Sequence, residues 1–108
     1  MDTPTPSGVD LVNAFLRGQN LEQIGKDDEA IALYELAVAG AFDAPGPYDR
    51  LIAIYSNRAM HLEVVRVAEA ALAHVHTYAE KRAWFERMRR EASAAYEKVP
   101  RAAPKPRG

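Results

Sequence analysis

The sequence contains no cysteine, so neither a disulfide framework nor thiolate chemistry is available to it. No apolar run approaches the ~18 residues that a membrane-spanning helix needs. Residues 1–8 are polar and proline-rich, with neither a basic segment nor an apolar one of the secretory type. A soluble, cytoplasmic protein is expected. With six glycines in 108 residues, there is no glycine-rich phosphate loop, and no nucleophile elbow or acidic metal loop is present either. Histidine is scarce: His61, His74 and His76 are the only three, and two residues apart on a helix His74 and His76 point away from each other. A metal site needs ligands on one face, so no metal and no cofactor are expected. The carboxylates Asp27, Asp28 and Glu29 suit a helix start better than acid–base catalysis. No catalytic residue is assigned, and a non-enzymatic protein is expected.

What is abundant is apolar residues, 48% of the chain, enough for the core of one domain. The net charge is only −1, but its distribution is uneven. Residues 1–79 hold 5 Lys/Arg against 11 Asp/Glu, and residues 80–108 hold 9 against 4. Solvation of the last helix is the simpler account of that asymmetry; an acidic face for one partner and a basic end for another is the sharper one. Arginine exceeds lysine by 10 to 4 in an alanine-rich chain, the composition of a GC-rich, bacterial coding sequence.

The most informative stretch is 25–37. Gly25 can take the left-handed conformation that ends a helix, and Asp27 is placed to cap the next one. Ala30, Ile31, Tyr34, Ala37, Val38 and Ala41 then form one helical stripe. Around this hairpin five helices are predicted. The first runs from Gly8 or Val9 to Ile24, opened by a Ser7–Asp10 capping box, with Leu11, Ala14, Phe15, Gly18 and Leu21 as its apolar stripe. The second runs from Asp28 to Ala39 with Gly40 as its stop. The third begins near Pro47, carries Tyr48, Leu51, Ile52 and Tyr55 inward, and ends near Ser56-Asn57. The fourth spans about His61 to Val75, with Val64, Ala68, Ala71, Leu72 and Val75 on one side. The fifth, from Tyr78 to Lys98, is opened by a Thr77–Glu80 capping box and stopped by Pro100. Phe85, Met88, Ala92, Ala95, Tyr96 and Val99 make its apolar face. Residues 1–7 are expected to be a flexible arm, and the basic residues 99–108 a disordered tail.

The two hairpins match at a spacing of 34 residues: Ala14 with Tyr48, Gly18 with Ile52, Leu21 with Tyr55, Ala30 with Val64, Tyr34 with Ala68, Ala37 with Ala71. A 34-residue unit of two helices resembles the tetratricopeptide repeat (TPR) family. The first unit, 11–44, does so through Gly18, Leu21, Gly25, Ala30, Tyr34 and Ala37; the second, 45–78, does so through Tyr48, Leu51, Tyr55 and Ala71. Ala14, Arg17, Val64 and Ala68 depart from the family's usual residues. The resemblance implies an all-α, right-handed α-α superhelix of two helix-turn-helix units closed by a long solvating helix at 78–98, one domain over 8–98. It also implies a protein–protein interaction module, a scaffold or adaptor, that holds a peptide or partner protein in a concave groove.

Carried over position by position, the groove would present Val12, Phe15, Gln19, Glu22 and Gln23 from the first unit, and Asp49, Ala53, Ser56 and Asn57 from the second. The fifth helix would add Ala83, Arg87 and Arg90. Phe15 and Ala53 could equally be partly core, and the polar groups merely solvated. Phe15 and Gln19 stand where one subgroup has the lysine and asparagine of its carboxylate clamp, so no such clamp is expected. Two other functions are open to the chain. The basic run Lys81, Arg82, Arg87, Arg89, Arg90, with Trp84 and Phe85 interleaved, suggests nucleic acid or an anionic surface, although four glutamates in the same helix argue against it. Self-association through Trp84 or the fifth helix, as a homodimer, is the other.

Overall fold

Backbone turns, more than side-chain caps, divide this chain into helices. The structure is a computed structural model that describes residues 8–100, so the expected arm, the Ser7 side of the first capping box and the tail beyond Pro100 lie outside the described residues. Five helices follow in order: α1 Gly8–Gln23, α2 Asp27–Ala39, α3 Gly46–Asn57, α4 His61–His74 and α5 Ala79–Lys98. The fold is all-α, with no strand among the described residues. Each helix packs against the next, and α2 also touches α4.

The turn after α1 is closed by backbone bonds from Gly25 N to Glu22 O (3.0 Å) and from Lys26 N to Leu21 O (2.9 Å). Gly25 takes a φ of +81°, the left-handed position of such a helix end. The turn after α3 repeats it: Ala59 N donates to Ser56 O (3.0 Å) and Met60 N to Tyr55 O (2.9 Å), with Ala59 at φ 55°. The residues that begin the following helices, Lys26 (φ −93°, ψ 64°) and Met60 (φ −89°, ψ 69°), have nearly the same conformation. Thus the 34-residue spacing is a repeat of backbone geometry, although an alanine replaces the glycine. A third turn of the kind ends α2, where Phe42 N donates to Ala37 O (3.2 Å) and Ala41 N to Val38 O (3.0 Å). There Gly40 is the stop, but the left-handed residue is Ala41, φ 56°, which the turn leaves exposed.

Two expected caps are corrected. Asp27 does not cap α2: the turn fixes Lys26 as the boundary, Lys26 O accepts from Ala30 N at 3.0 Å, and Asp27 becomes the first helical residue. Thr77 does not cap α5 either. Tyr78 occupies that boundary in the left-handed region, φ 71°, without a side-chain cap. The connection is held instead by His76 N donating to Asp43 Oδ1 (2.8 Å) and by Arg82 Nη1 donating to Leu72 O (2.8 Å) at the end of α4. A cation there meets the negative end of the helix.

The stripes face one another in a continuous core that runs from Ala30 and Tyr34 through Tyr48, Leu51, Ile52 and Tyr55 to Val64, Val67, Ala71, Val75, Phe85 and Ala92. Val99, expected on the inner face of α5, lies exposed past its end, extended ahead of Pro100 (φ −66°, ψ 128°). Ala30, Tyr34, Ala37, Tyr48, Leu51 and Ala71 are completely enclosed. Tyr48 satisfies its hydroxyl by donating to Phe42 O at 2.8 Å, and burial together with the charge of Asp43 pushes its pKa up to about 12. Gly18 is buried in α1 because Tyr34 lies against it: a Cβ there would stand 2.7 Å from Tyr34 Cε1. The glycine therefore sets how closely α1 and α2 approach.

Candidate functional site

Gln19, Glu22 and Gln23 lie at i, i+3 and i+4 on α1, so one helix face carries all three. Together with Arg50 of α3 they line an open cleft of ≈ 230 Å³. Glu22 is its centre. Its Oε1 accepts from Tyr34 Oη at 2.8 Å and from Arg50 Nε at 3.0 Å, while Arg50 Nη2 pairs with Oε2. One carboxylate thus joins α1, α2 and α3 across the junction of the two hairpins.

The hydrogen bond from Arg50 holds the Glu22 carboxyl below its usual range, outweighing the opposing effect of partial burial. Burial, followed by the Glu22 hydrogen bond, raises the Tyr34 hydroxyl, and Glu22 raises the Arg50 guanidinium. Around neutral pH the cleft therefore holds a fixed anion–cation pair flanked by two carboxamides. Such groups can accept and donate hydrogen bonds to a peptide backbone or to polar side chains. None is a nucleophile activated by a base.

The other positions from the sequence fall elsewhere. Phe15 is half-buried, with its ring centroid 5.9 Å from that of Tyr34 and its edge against Gly46. It is a packing contact between α1, α2 and the start of α3. Val12 is exposed on α1, and Ala53 is half-buried on α3. Asp49 Oδ2 accepts from Lys81 Nζ at 2.8 Å, and that ammonium sits 3.9 Å from the centre of the Trp84 ring. Ser56 lines a separate cleft with His61, Met88 and Glu91, and Asn57 is exposed at the end of α3. Arg87 pairs with Glu91 at 3.8 Å, and Ala83 and Arg90 are exposed on α5.

Arg50 was not among the expected residues, yet it closes the cleft. A signal existed: Arg50, Ala53 and Asn57 stand at i, i+3 and i+7, so Arg50 shares the face on which the other two were placed. Within the basic run, Lys81 and Arg82 are bound to Asp49 and to the carbonyls of α4, and Arg87 to Glu91. Among the described residues, no group of three or more His, Asp or Glu side chains could hold a metal ion, and no helix is long and apolar enough to cross a membrane. No protein-family model, curated protein or solved structure matches this chain.

Proposed function

We propose that this chain is a non-enzymatic interaction module of the tetratricopeptide-repeat kind, taking a peptide or partner protein along α1 and α3. The observation that carries this is the convergence of Gln19, Glu22, Gln23 and Arg50 on one open cleft. Its central ion pair is held by three hydrogen bonds and does not need to reorganise when a partner arrives. The repeated turns 34 residues apart support the family resemblance, since they are what a tandem helix-hairpin array requires. The engagement of Lys81, Arg82 and Arg87 within the chain favours a protein partner over nucleic acid.

Affinity capture from native lysate tests the proposal. Gln19→Arg with Gln23→Arg adds bulk and charge to the cleft while leaving Glu22, Tyr34 and Arg50 in place. A partner retained by the wild type, and by the control Glu69→Arg on the exposed side of α4, should be lost from that double variant. Equal retention by the double variant would overturn the assignment.

A further inference from the structure

The Glu22–Arg50 pair does not use all of its hydrogen-bonding capacity. A guanidinium carries about five N–H donors, and Arg50 gives two of them to Glu22, one from Nε and one from Nη2. The others have no acceptor among the described residues. An ionised carboxylate accepts at about four lone-pair sites. Tyr34 and Arg50 fill two on Oε1 of Glu22 and one on Oε2, so an acceptor site remains on Oε2. Beside the pair, the Gln19 and Gln23 carboxamides make no hydrogen bond to another described residue. The side chains of Arg50 and Glu22 are 41% and 20% exposed, so both are reachable from the cleft that they line. In water all these groups bond to solvent, and a partner that covers the cleft must replace those bonds.

Charge and bonding pattern together select the group that can do so. The two charges in the cleft cancel, and the rest of its lining is uncharged. A carboxylate brought in would meet Arg50 but stand against Glu22, and an ammonium the reverse. Either ion would give up its hydration for a site with no net charge to offer. An aliphatic side chain would leave the guanidinium and the carboxamides without partners. The complement is a neutral group with an acceptor and donors side by side. A primary carboxamide is such a group, its C=O accepting from Arg50 and its NH2 donating to Glu22 Oε2 or to the oxygen of Gln19 or Gln23. A hydroxyl has a single donor, and a trans peptide unit holds its C=O and N–H on opposite sides. We infer that the cleft recognises an uncharged side-chain carboxamide, an Asn or Gln exposed on the partner. The inference rests on the cleft being an interaction site and adds its specificity. Arg50 is the donor that holds the amide oxygen, and Glu22 is the neutralising charge that keeps carboxylates out.

Selection from a library of random peptides displayed on phage, with the intact chain as bait, tests this. Peptides held by the wild type and lost from the Gln19→Arg, Gln23→Arg double variant should share an Asn or a Gln. In a synthetic copy of one such peptide, replacing that Asn by Asp, or that Gln by Glu, should weaken binding about tenfold or more. The amide form should keep its affinity, within about twofold, between low and physiological salt, because no net charge meets it. Glu22→Gln removes the neutralising charge, so at unchanged helix content the preference should move about tenfold or more toward the acidic peptide. Should Glu22→Gln unfold the chain, the comparison of the two peptides on the wild type, with its salt dependence, carries the test. If the peptides lost from the double variant share no carboxamide, if none is lost, or if folded Glu22→Gln keeps the wild-type preference, the inference is overturned. Affinity capture from lysate decides separately whether the chain is an interaction module.

Discussion

At Gly25 and Ala59 the same turn is built from different residues, and the difference has a sign. Gly25 at φ 81° has open space where a Cβ would lie, so Gly25→Ala adds no clash and only the strain of the left-handed conformation, about 1 kcal/mol. Ala59 already bears that strain at φ 55°. Ala59→Gly should therefore raise stability, by about 0.5 to 1 kcal/mol, since the freer unfolded chain takes back part of the gain. Urea midpoints of the two variants should move in opposite directions. Gly18 is a different case, because space and not φ is what matters. Helix propensity alone would make Gly18→Ala stabilising by ~1 kcal/mol. However, the new methyl would meet the Tyr34 ring at 2.7 Å and 2.9 Å, and that ring is fully buried and tethered by its hydroxyl to Glu22. Overpacking of this kind costs about 1 to 3 kcal/mol, so a net loss of stability is expected, and a rise in the urea midpoint would refute the close packing of α1 on α2.

Between elements, four ion pairs add to the apolar core: Glu22 to Arg50, Glu35 to Arg66 and Asp28 to Arg58 join the two hairpins, and Asp49 to Lys81 joins the second hairpin to α5. The Glu22 tie has a pH dependence of definite sign. Its carboxyl is held below the ordinary 4.5, so the stability it contributes is fully present above that pH and is lost as pH falls through the lower, folded-state pKa. The Arg50 side chain is 41% exposed, which limits the cost of Glu22→Gln at neutral pH to on the order of 1 kcal/mol. That difference from the wild type should shrink as the pH is lowered below the ordinary 4.5 and the wild-type carboxylate takes up its proton; a constant gap in urea midpoints would contradict the assigned role.

Sequence periodicity was sufficient to place all five helices, because each buries a stripe that recurs every three or four residues. It misplaced the starts of α2 and α5 for one reason. Asp27 and Thr77 looked like caps, but the boundary in each case falls on a neighbour without a side-chain cap, Lys26 one residue after the left-handed Gly25 and the left-handed Tyr78, and neither lysine nor tyrosine marks such a boundary in a side-chain pattern. The turn after α3 was legible from Ser56-Asn57, but the left-handed conformation of Ala59 within it was not, because alanine does not announce a positive φ. The bond of Glu22 to Arg50 spans 28 residues and depends on how α3 settles against α1, which no local spacing encodes. For the same reason Phe15 was placed with the groove, although its ring serves the packing around Tyr34 and Gly46.

Over the whole molecule, the question is whether α5 is a detachable cover or part of one cooperative unit. Its Phe85 is fully buried and contacts Tyr48 of α3 edge-on, with ring centroids 6.3 Å apart, inside a core that extends without a break back to Ala30 of α2. Trp84, the only tryptophan, packs on the same ring at 5.3 Å, so its fluorescence reports on α5, while far-UV ellipticity reports on all five helices. If the core acts as one unit, the two signals should follow the same urea transition. Phe85→Ala removes a fully buried ring at a cost of about 3 to 5 kcal/mol, set against a total stability of about 5 to 15 kcal/mol for a domain of this size. It should shift both transitions together, by far more than any change at the exposed ion pairs. A tryptophan transition that came first, leaving ellipticity from α1 and α2 behind, would show that the array unzips from its C-terminal end. Nearest-neighbour stacking permits that outcome wherever the interface between units is weaker than the units themselves. Phe85, Tyr48, Leu51 and Tyr34 belong to one buried cluster, so the junction is part of the core, and this is the physical reason to expect a single transition.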